Sequence, residues 1–293
     1  MTVSVIVPCL RRDEAAERCL AEIRRQAASG GAELDLVVVE GVSPSARARN
    51  EGLRRATGDY IAWADADDAV RNGWWRSISE ALAERPDVVV FGWHDEKSSA
   101  DLAFCPSGSN PARQLLQDVL RDEVPCSFLW NKVIRKDLWS GTRFDERWFF
   151  QEDFAVLPSV LRKAQSVVVI AGPLYRYRFN PESISNKDMA DRAREIFDVR
   201  WHRFEDWQDS DLAADAILPY VGQVAWRYDC VVNGGTRLSD DGLLSDQLRR
   251  LRGRLLLVLR AHAGWRITTK IAFALLGWTW PQYLSLKLHG VSP

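Results

Sequence analysis

The chain has 293 residues, 46% of them apolar and 27% charged, with a net charge of −1; this balance excludes a disordered or polyelectrolyte protein and leaves room for a large core with an appendage. Five cysteines at positions 9, 19, 105, 126 and 230 form no CxxC and no short Cys/His spacing. That excludes a zinc site or a disulfide framework as the organising feature and fits a reducing cytoplasm.

Residues 3–8 (VSVIVP) are a β-branched run without a basic leader, which predicts a strand buried on both faces and no secretory signal. Ala16, Cys19, Leu20, Ile23 and Ala27 then recur at helical spacing behind Asp13, a good capping residue. Residues 34–39 predict a second buried strand. Ser45 is expected to cap a helix running to residue 56 and closed by Gly58. A third strand at 59–63, a helix at 74–82 and a fourth strand at 87–93 follow. Strands alternating with helices imply right-handed crossovers and a mostly parallel sheet, hence an α/β fold of nucleotide-binding type. Beyond Asn110 we expect a helix at 112–120, a buried strand at 167–170 and its alternating continuation at 173–178. From about residue 187 the pattern turns helical and Trp-rich, broken at Asn233-Gly234-Gly235. The expected domains are 1–187 and a helical region 188–293.

The third strand ends in an acidic cluster, Asp65, Asp67 and Asp68, at the carboxyl edge where α/β sheets hold ligands. Carboxylates at that spacing can share a divalent cation and, through it, a diphosphate. An acidic turn capping the next helix is the other reading of the same residues. His94, also at a strand end, lacks partner spacing and reads as local structure.

Charge is segregated. Residues 247–293 contain eight Arg or Lys and no Asp or Glu, leaving −9 on the remainder. Trp265, Phe273, Trp278, Trp280 and Tyr283 are interleaved with these bases, as in a segment lying in an anionic membrane interface. The longest apolar run there, 271–280, is about half the ~20 residues of a spanning helix. A helical cap packing its leucines on the body is the competing reading. Nucleic acid is not expected as a partner, because the body is acidic and no recognised motif is present.

Six segments stand in order over residues 3–186: VSVIVP; VVVE ending at Glu40; ARNEGLRRATGDYIAWADADD; WNK at 130–132; QEDF at 151–154; and PLYRYRFNPESIS at 173–185. Together they resemble the family 2 glycosyltransferases, which have the GT-A fold. The resemblance implies transfer of a sugar from a nucleoside-diphosphate donor, with inversion and with Mn²⁺ or Mg²⁺ as cofactor. It implies Asp67 as metal ligand and Asp65 at the ribose or the metal's waters. It also places Pro8, Glu40, Arg47, Arg49, Asn50 and Ala66 around the nucleotide sugar. Asp153 matches the family's general base, and Phe149, Phe150 and Phe154 are expected to desolvate it. Glu152 would hold acceptor or local structure; a helix N-terminus favouring acids is the alternative for the pair.

Trp130 and Lys132 match the acceptor side, against the plainer reading of a core tryptophan and a solvated lysine. Arg178 and Ser183, in the closing segment, are expected near the diphosphate. The pattern departs at Glu40, where Gly41 replaces a second acid and few residues separate it from Arg47; this shortens the expected base pocket. The reading is therefore a UDP-sugar transferase acting on a saccharide or polyprenyl-linked saccharide, peripheral on the cytoplasmic membrane face. The alternatives are an inactive nucleotide-sugar-binding protein and a sugar-nucleotide nucleotidyltransferase.

Overall fold

The structure, a computed structural model, describes residues 1–103, 109–122, 127–180, 192–234, 241–261 and 263–275. The chain divides into two compact units, residues 1–119 with 124–188, and residues 120–123 with 189–293.

The first unit is built on one sheet in the order β2 (Glu33–Glu40), β1 (Thr2–Cys9), β3 (Tyr60–Trp63), β7 (Lys132–Arg135), β5 (Val88–Asp95), β8 (Val167–Tyr177) and β4 (Ala69–Val70), with β6 (Ala100–Leu102) paired to β5. The α/β class expected from the alternation is found. The sheet itself is mixed: β2, β1 and β3 are mutually parallel and β5 is parallel to β8, but β7 enters antiparallel between β3 and β5. The short β7 lacks the apolar run of a parallel strand, so periodicity did not disclose it. The two predicted strand segments near residue 170 are one strand, β8, with irregular register opposite Gly92. A Cβ on Gly92 would lie 2.6 Å from the Leu102 carbonyl oxygen and 2.9 Å from that of Gly172, so three backbones converge where only glycine fits.

Helix α1 (Glu14–Ala27) starts as expected, with the Asp13 side chain accepting from the Ala16 N–H at 2.9 Å. Helix α2 (Ser45–Arg55) does not use Ser45 as a cap; the Pro44 carbonyl accepts from the Arg47 and Ala48 N–H groups. Gly58 does not close that helix either, since Ala56 does; it lies against β1, where a Cβ would meet the Ser4 nitrogen at 2.6 Å. Helices α3 (Trp74–Leu82), α4 (Pro111–Arg121) and α5 (Glu152–Leu161) complete the layers.

The second unit is helical: α6 (Ala193–Glu205), α7 (Ala213–Asn233), α8 (Gly242–Arg252), α9 (Leu255–Arg260) and α10 (Trp265–Leu275). Its core includes Phe197, Tyr220, Val224, Leu244, Leu251 and Val258, all buried. The Tyr220 hydroxyl donates to the Gln247 side chain at 2.7 Å. The basic tail therefore does not begin as a free segment at residue 247: α8 caps this core with Leu244, Leu248 and Leu251. Farther on, Leu256 and Trp265 are 75% and 72% exposed, and Leu255 and Leu259 are also exposed. No helix among the described residues is long and apolar enough to cross a membrane. Trp278, Trp280 and Tyr283 lie outside the described residues.

Candidate active site

The parallel strands β2, β1 and β3 deliver Glu40, Pro8 and Asp65 to one edge of the sheet, their carboxyl ends. β3 is wholly buried, and the chain leaves it at Ala64, whose N–H donates to the Ile6 carbonyl, before turning through the acids. The turn is closed by the Asp68 N–H donating to the Asp65 carbonyl at 3.1 Å.

Each acid is held differently. Asp65 accepts from the Arg49 guanidinium at 3.1 Å while its N–H donates to the Tyr175 hydroxyl at 3.0 Å. Asp67 is exposed and accepts from the Asn180 side-chain amide at 3.1 Å. Asp68 is buried; one carboxylate oxygen accepts from the Arg178 N–H at 2.8 Å, and the other has no partner among the described residues. Burial raises the pKa of Asp65, against the pull of Arg49 and with the push of Asp67 and Asp153. Burial and then the Asp65 charge push Asp68 up to about 8. A cluster that raises its own pKa values is short of positive charge.

Arg49 is the bridge. On α2 it turns inward, and its guanidinium pairs with both Asp65 and Glu152. Glu152 opens α5 and is buried with Arg49, so of its two expected roles the structural one is what the geometry displays. Asp153 is half-buried and accepts from its neighbour, the Phe154 N–H, at 2.7 Å. Burial raises its pKa, opposed by the positive charges of Arg49 and Lys132. Of the three phenylalanines expected to desolvate Asp153, Phe149 is 60% exposed and Phe154 is buried.

Several other expected site residues fall elsewhere, whereas Ala66 and Glu40 stay at the carboxyl edge of the sheet. Trp130 is a core residue: it is buried and stacked against Phe128 at 4.7 Å and Tyr175 at 4.6 Å, so its faces offer no platform for a sugar. Lys132 is not solvated but fully buried, its ammonium donating to the Phe128 carbonyl and to the Asn131 side chain. Asn50 clamps a loop: its amide nitrogen donates to the Phe144 carbonyl and its oxygen accepts from the Phe144 N–H, both at 2.9 Å. Arg47 is exposed and lines a cavity that borders α2; two residues from Arg49, it points about 200° away around the helix. Ala66 lies within the acidic turn and Glu40 is exposed at the end of β2. Ser183 lies outside the described residues.

Tyr175 and Asn180 were missed. Tyr175 carried a signal, as one of the alternating residues of PLYRYR, but its hydroxyl contact to Asp65 spans 110 residues and is invisible to periodicity.

A family model described as glycosyl transferase family 2 matches residues 45–140, the stretch that contains α2, β3 and the acids. The uncharacterized glycosyltransferase EpsJ of Bacillus subtilis is 24% identical, covering 62% of each chain. Over residues 45–140 the chain is similar to the family 2 glycosyltransferases. A second relative, glycosyltransferase GlyG of Streptococcus pneumoniae, is 26% identical over 54% of each chain. The chain spans less than two thirds of the length of these curated relatives. Among solved structures, S. aureus TarS 1-349 in complex with UDP-GlcNAc superposes with a TM-score of 0.63 at 15% identity, covering 99% of this chain and 93% of that one. A longer TarS chain gives 0.62 at 16% identity, covering 95% of this chain and 55% of TarS. The shared fold is the GT-A fold of these glycosyltransferases.

Proposed function

We propose that the chain transfers a sugar, with inversion, from a nucleoside-diphosphate donor to a hydroxyl of a saccharide or lipid-linked saccharide. The observation that carries this reading is that one buried arginine, Arg49, pairs with Asp65 of the acidic cluster and with Glu152, the residue next to Asp153 at the start of α5. A UDP-sugar is the first donor to test, because the TarS structure that shares the fold is a complex with UDP-GlcNAc.

The donor set fits a divalent cation. Among the described residues no group of three or more His, Cys, Asp or Glu side chains is arranged to hold a metal alone. Mg²⁺ and its relatives, however, commonly take one or two carboxylates and complete their shell with phosphate oxygens and water. Asp67, exposed and with lone pairs to spare, would hold the ion, with Asp65 beside it at the ribose or the metal's waters. When bound, such an ion neutralises charge developing on a departing diphosphate.

The chain's own residues divide the remaining work. Asp153 takes the proton of the acceptor hydroxyl as it attacks, and the raised pKa makes it a stronger base than an ordinary aspartate. Arg49 holds Asp65 and the start of α5 in one frame, so that donor and base are positioned together. Arg178, anchored through its backbone to Asp68, supports a contact to the diphosphate. The exposed leucines and Trp265 among the arginines of α9 and α10 support docking at an anionic membrane surface, where a lipid-linked acceptor would lie.

The test is thermal stabilisation by a panel of nucleotide sugars with and without Mn²⁺, since a ligand of the native state raises the melting point. UDP-sugars with Mn²⁺ should stabilise the protein, and Asp67→Asn should abolish the Mn²⁺-dependent part. A flat response to every nucleotide sugar would remove the reading, and release of pyrophosphate instead of nucleoside diphosphate would assign a nucleotidyltransferase.

A further inference from the structure

Within the first unit, a cavity of about 1650 Å³ runs beside α2. Arg47, Asn50, Glu51 and Arg54 of α2 line it; their i, i+3, i+4, i+7 spacing makes one face of the helix, away from Arg49. Residues 139–144 and Glu146 also line it, as do Thr57, Asp59 and Arg85. We propose that this groove binds an extended anionic chain bearing repeated phosphate or carboxylate groups, gripped by Arg47, Arg85 and Arg143. The inference concerns binding alone and does not depend on the transfer reaction.

Three observations carry it. Charge is the first. The lining holds seven Arg or Lys side chains against four carboxylates, although residues 1–246 as a whole carry −9. Basic side chains concentrated on one face of an acidic body create a local field for anions.

The second is which cations are free. Arg54 and Arg55 share Glu51, and Arg135 is paired with Asp87 and Asp137. Arg47, Arg85 and Arg143 are exposed, and their guanidinium groups make no hydrogen bond or ion pair among the described residues. Guanidinium groups left open in this way match phosphate and carboxylate oxygens in paired hydrogen bonds.

The third is shape and rigidity. The lining extends from Val42, ahead of α2, to Asp59, beyond it, and an eleven-residue helix is about 16 Å long. Such a length suits a chain better than a compact anion. The wall bearing Arg143 is fixed, because Asn50 binds both main-chain groups of Phe144 and the Phe144 ring packs on Trp63 at 5.5 Å. The aromatic residues of the lining, Tyr60, Trp139 and Phe144, are buried, so no ring is offered for stacking bases. That favours an anionic saccharide or phosphate polymer over single-stranded nucleic acid.

The experiment titrates the full chain with short-chain inorganic polyphosphate, polygalacturonate oligomers, neutral dextran oligomers and oligothymidylate. It compares the protein with Arg85→Gln/Arg143→Gln and with a charge-matched control, Arg18→Gln/Arg76→Gln, on exposed helix faces elsewhere. Polyphosphate and polygalacturonate should bind, weakening steeply with salt, and the groove variant should lose about tenfold or more in affinity while the control loses little. Arg85→Lys/Arg143→Lys, which keeps the charge, should recover most of the loss. Equal affinity of the groove variant and the control, or dextran binding as tight as polygalacturonate, would overturn the proposal. So would oligothymidylate binding more tightly than polyphosphate of equal charge. Because no probe is a sugar nucleotide, failure here leaves the transferase reading untouched.

Discussion

Arg49 and Glu152 form an ion pair between α2 and the first residue of α5, with side chains only 10% and 8% exposed. Residues 103 positions apart are thereby locked behind the acidic turn. Removing one partner of such a pair leaves a buried charge uncompensated, at a typical cost of about 3–5 kcal/mol. Glu152→Gln should therefore lower the urea midpoint, by less than that full cost because Asp65 still pairs with Arg49. The double variant Arg49→Met/Glu152→Gln should be less damaged than the sum of its two single variants. Additive losses in that cycle would mean that the two side chains do not act as a pair.

Asp68 makes stability depend on pH in a definite sense. Its folded pKa is about 8, against about 3.9 for an unfolded aspartate. Between those values the folded state binds more protons than the unfolded state, so stability falls as pH rises through the window. The raised Asp65 and Asp153 act in the same sense. Asp35 is held below its ordinary value and acts oppositely, losing its contribution as pH falls through its folded pKa. In metal-free buffer the protein should melt higher at pH 5.5 than at pH 8 (two settings chosen, roughly, inside that window). Asp68→Asn, which can still accept from the Arg178 N–H, should flatten the difference; an unchanged slope in the variant would refute the assignment.

Asp153 and Asp67 should separate under substitution. Asp153→Asn removes the proposed base while leaving the acids of the β3 edge intact, so donor-induced stabilisation should persist while turnover falls by roughly 10²–10⁴-fold. Single-turnover product formation measured beside thermal shift distinguishes the two. A loss of donor binding equal to the loss of turnover would place Asp153 on the donor side instead.

The exposed apolar side chains of α9 and α10 give the membrane reading its own test. Truncation at residue 247 would cut into α8, whose Leu248 and Leu251 are buried. Leu256→Gln/Trp265→Gln changes only exposed positions. Co-sedimentation with vesicles containing anionic lipid should fall in this variant with the melting temperature preserved; equal partitioning would count against docking through this face.

Close packing behind α2 offers a structural check. A Cβ on Gly52 would come within 2.3 Å of the Ile6 Cγ2 atom, forcing α2 off the sheet. Gly52→Ala should cost about 1–3 kcal/mol by denaturant titration. An accompanying Ile6→Leu, which has no Cγ2, should recover part of that loss.

Much was legible because it is written in short-range pattern. The buried run of β1, the existence of β2, the Asp13 cap, the bounds of α3 and the acids after β3 all follow from spacing along the chain, but β2 lies at the sheet edge with only Val37 and Val39 buried, not the buried strand expected. The antiparallel β7 was not legible, because four residues flanked by aromatics carry no period that distinguishes a strand. Trp130 shows the same limit at the level of the site. A WNK segment specifies an aromatic ring and a cation, but not that Phe128 and Tyr175 cover the ring or that the cation is buried.

The sequence by itself determined the α/β class, the family resemblance and the identity of the acids, since each rests on local periodicity or on a contiguous motif. Tertiary structure alone decided that Arg49 binds Asp65 and Glu152, that Tyr175 reaches the Asp65 backbone, and that Arg47 faces a different space from Arg49. The physical reason is range. Backbone propensity acts over a few residues, whereas charge pairing and burial act between any groups that the sheet brings within a few ångströms.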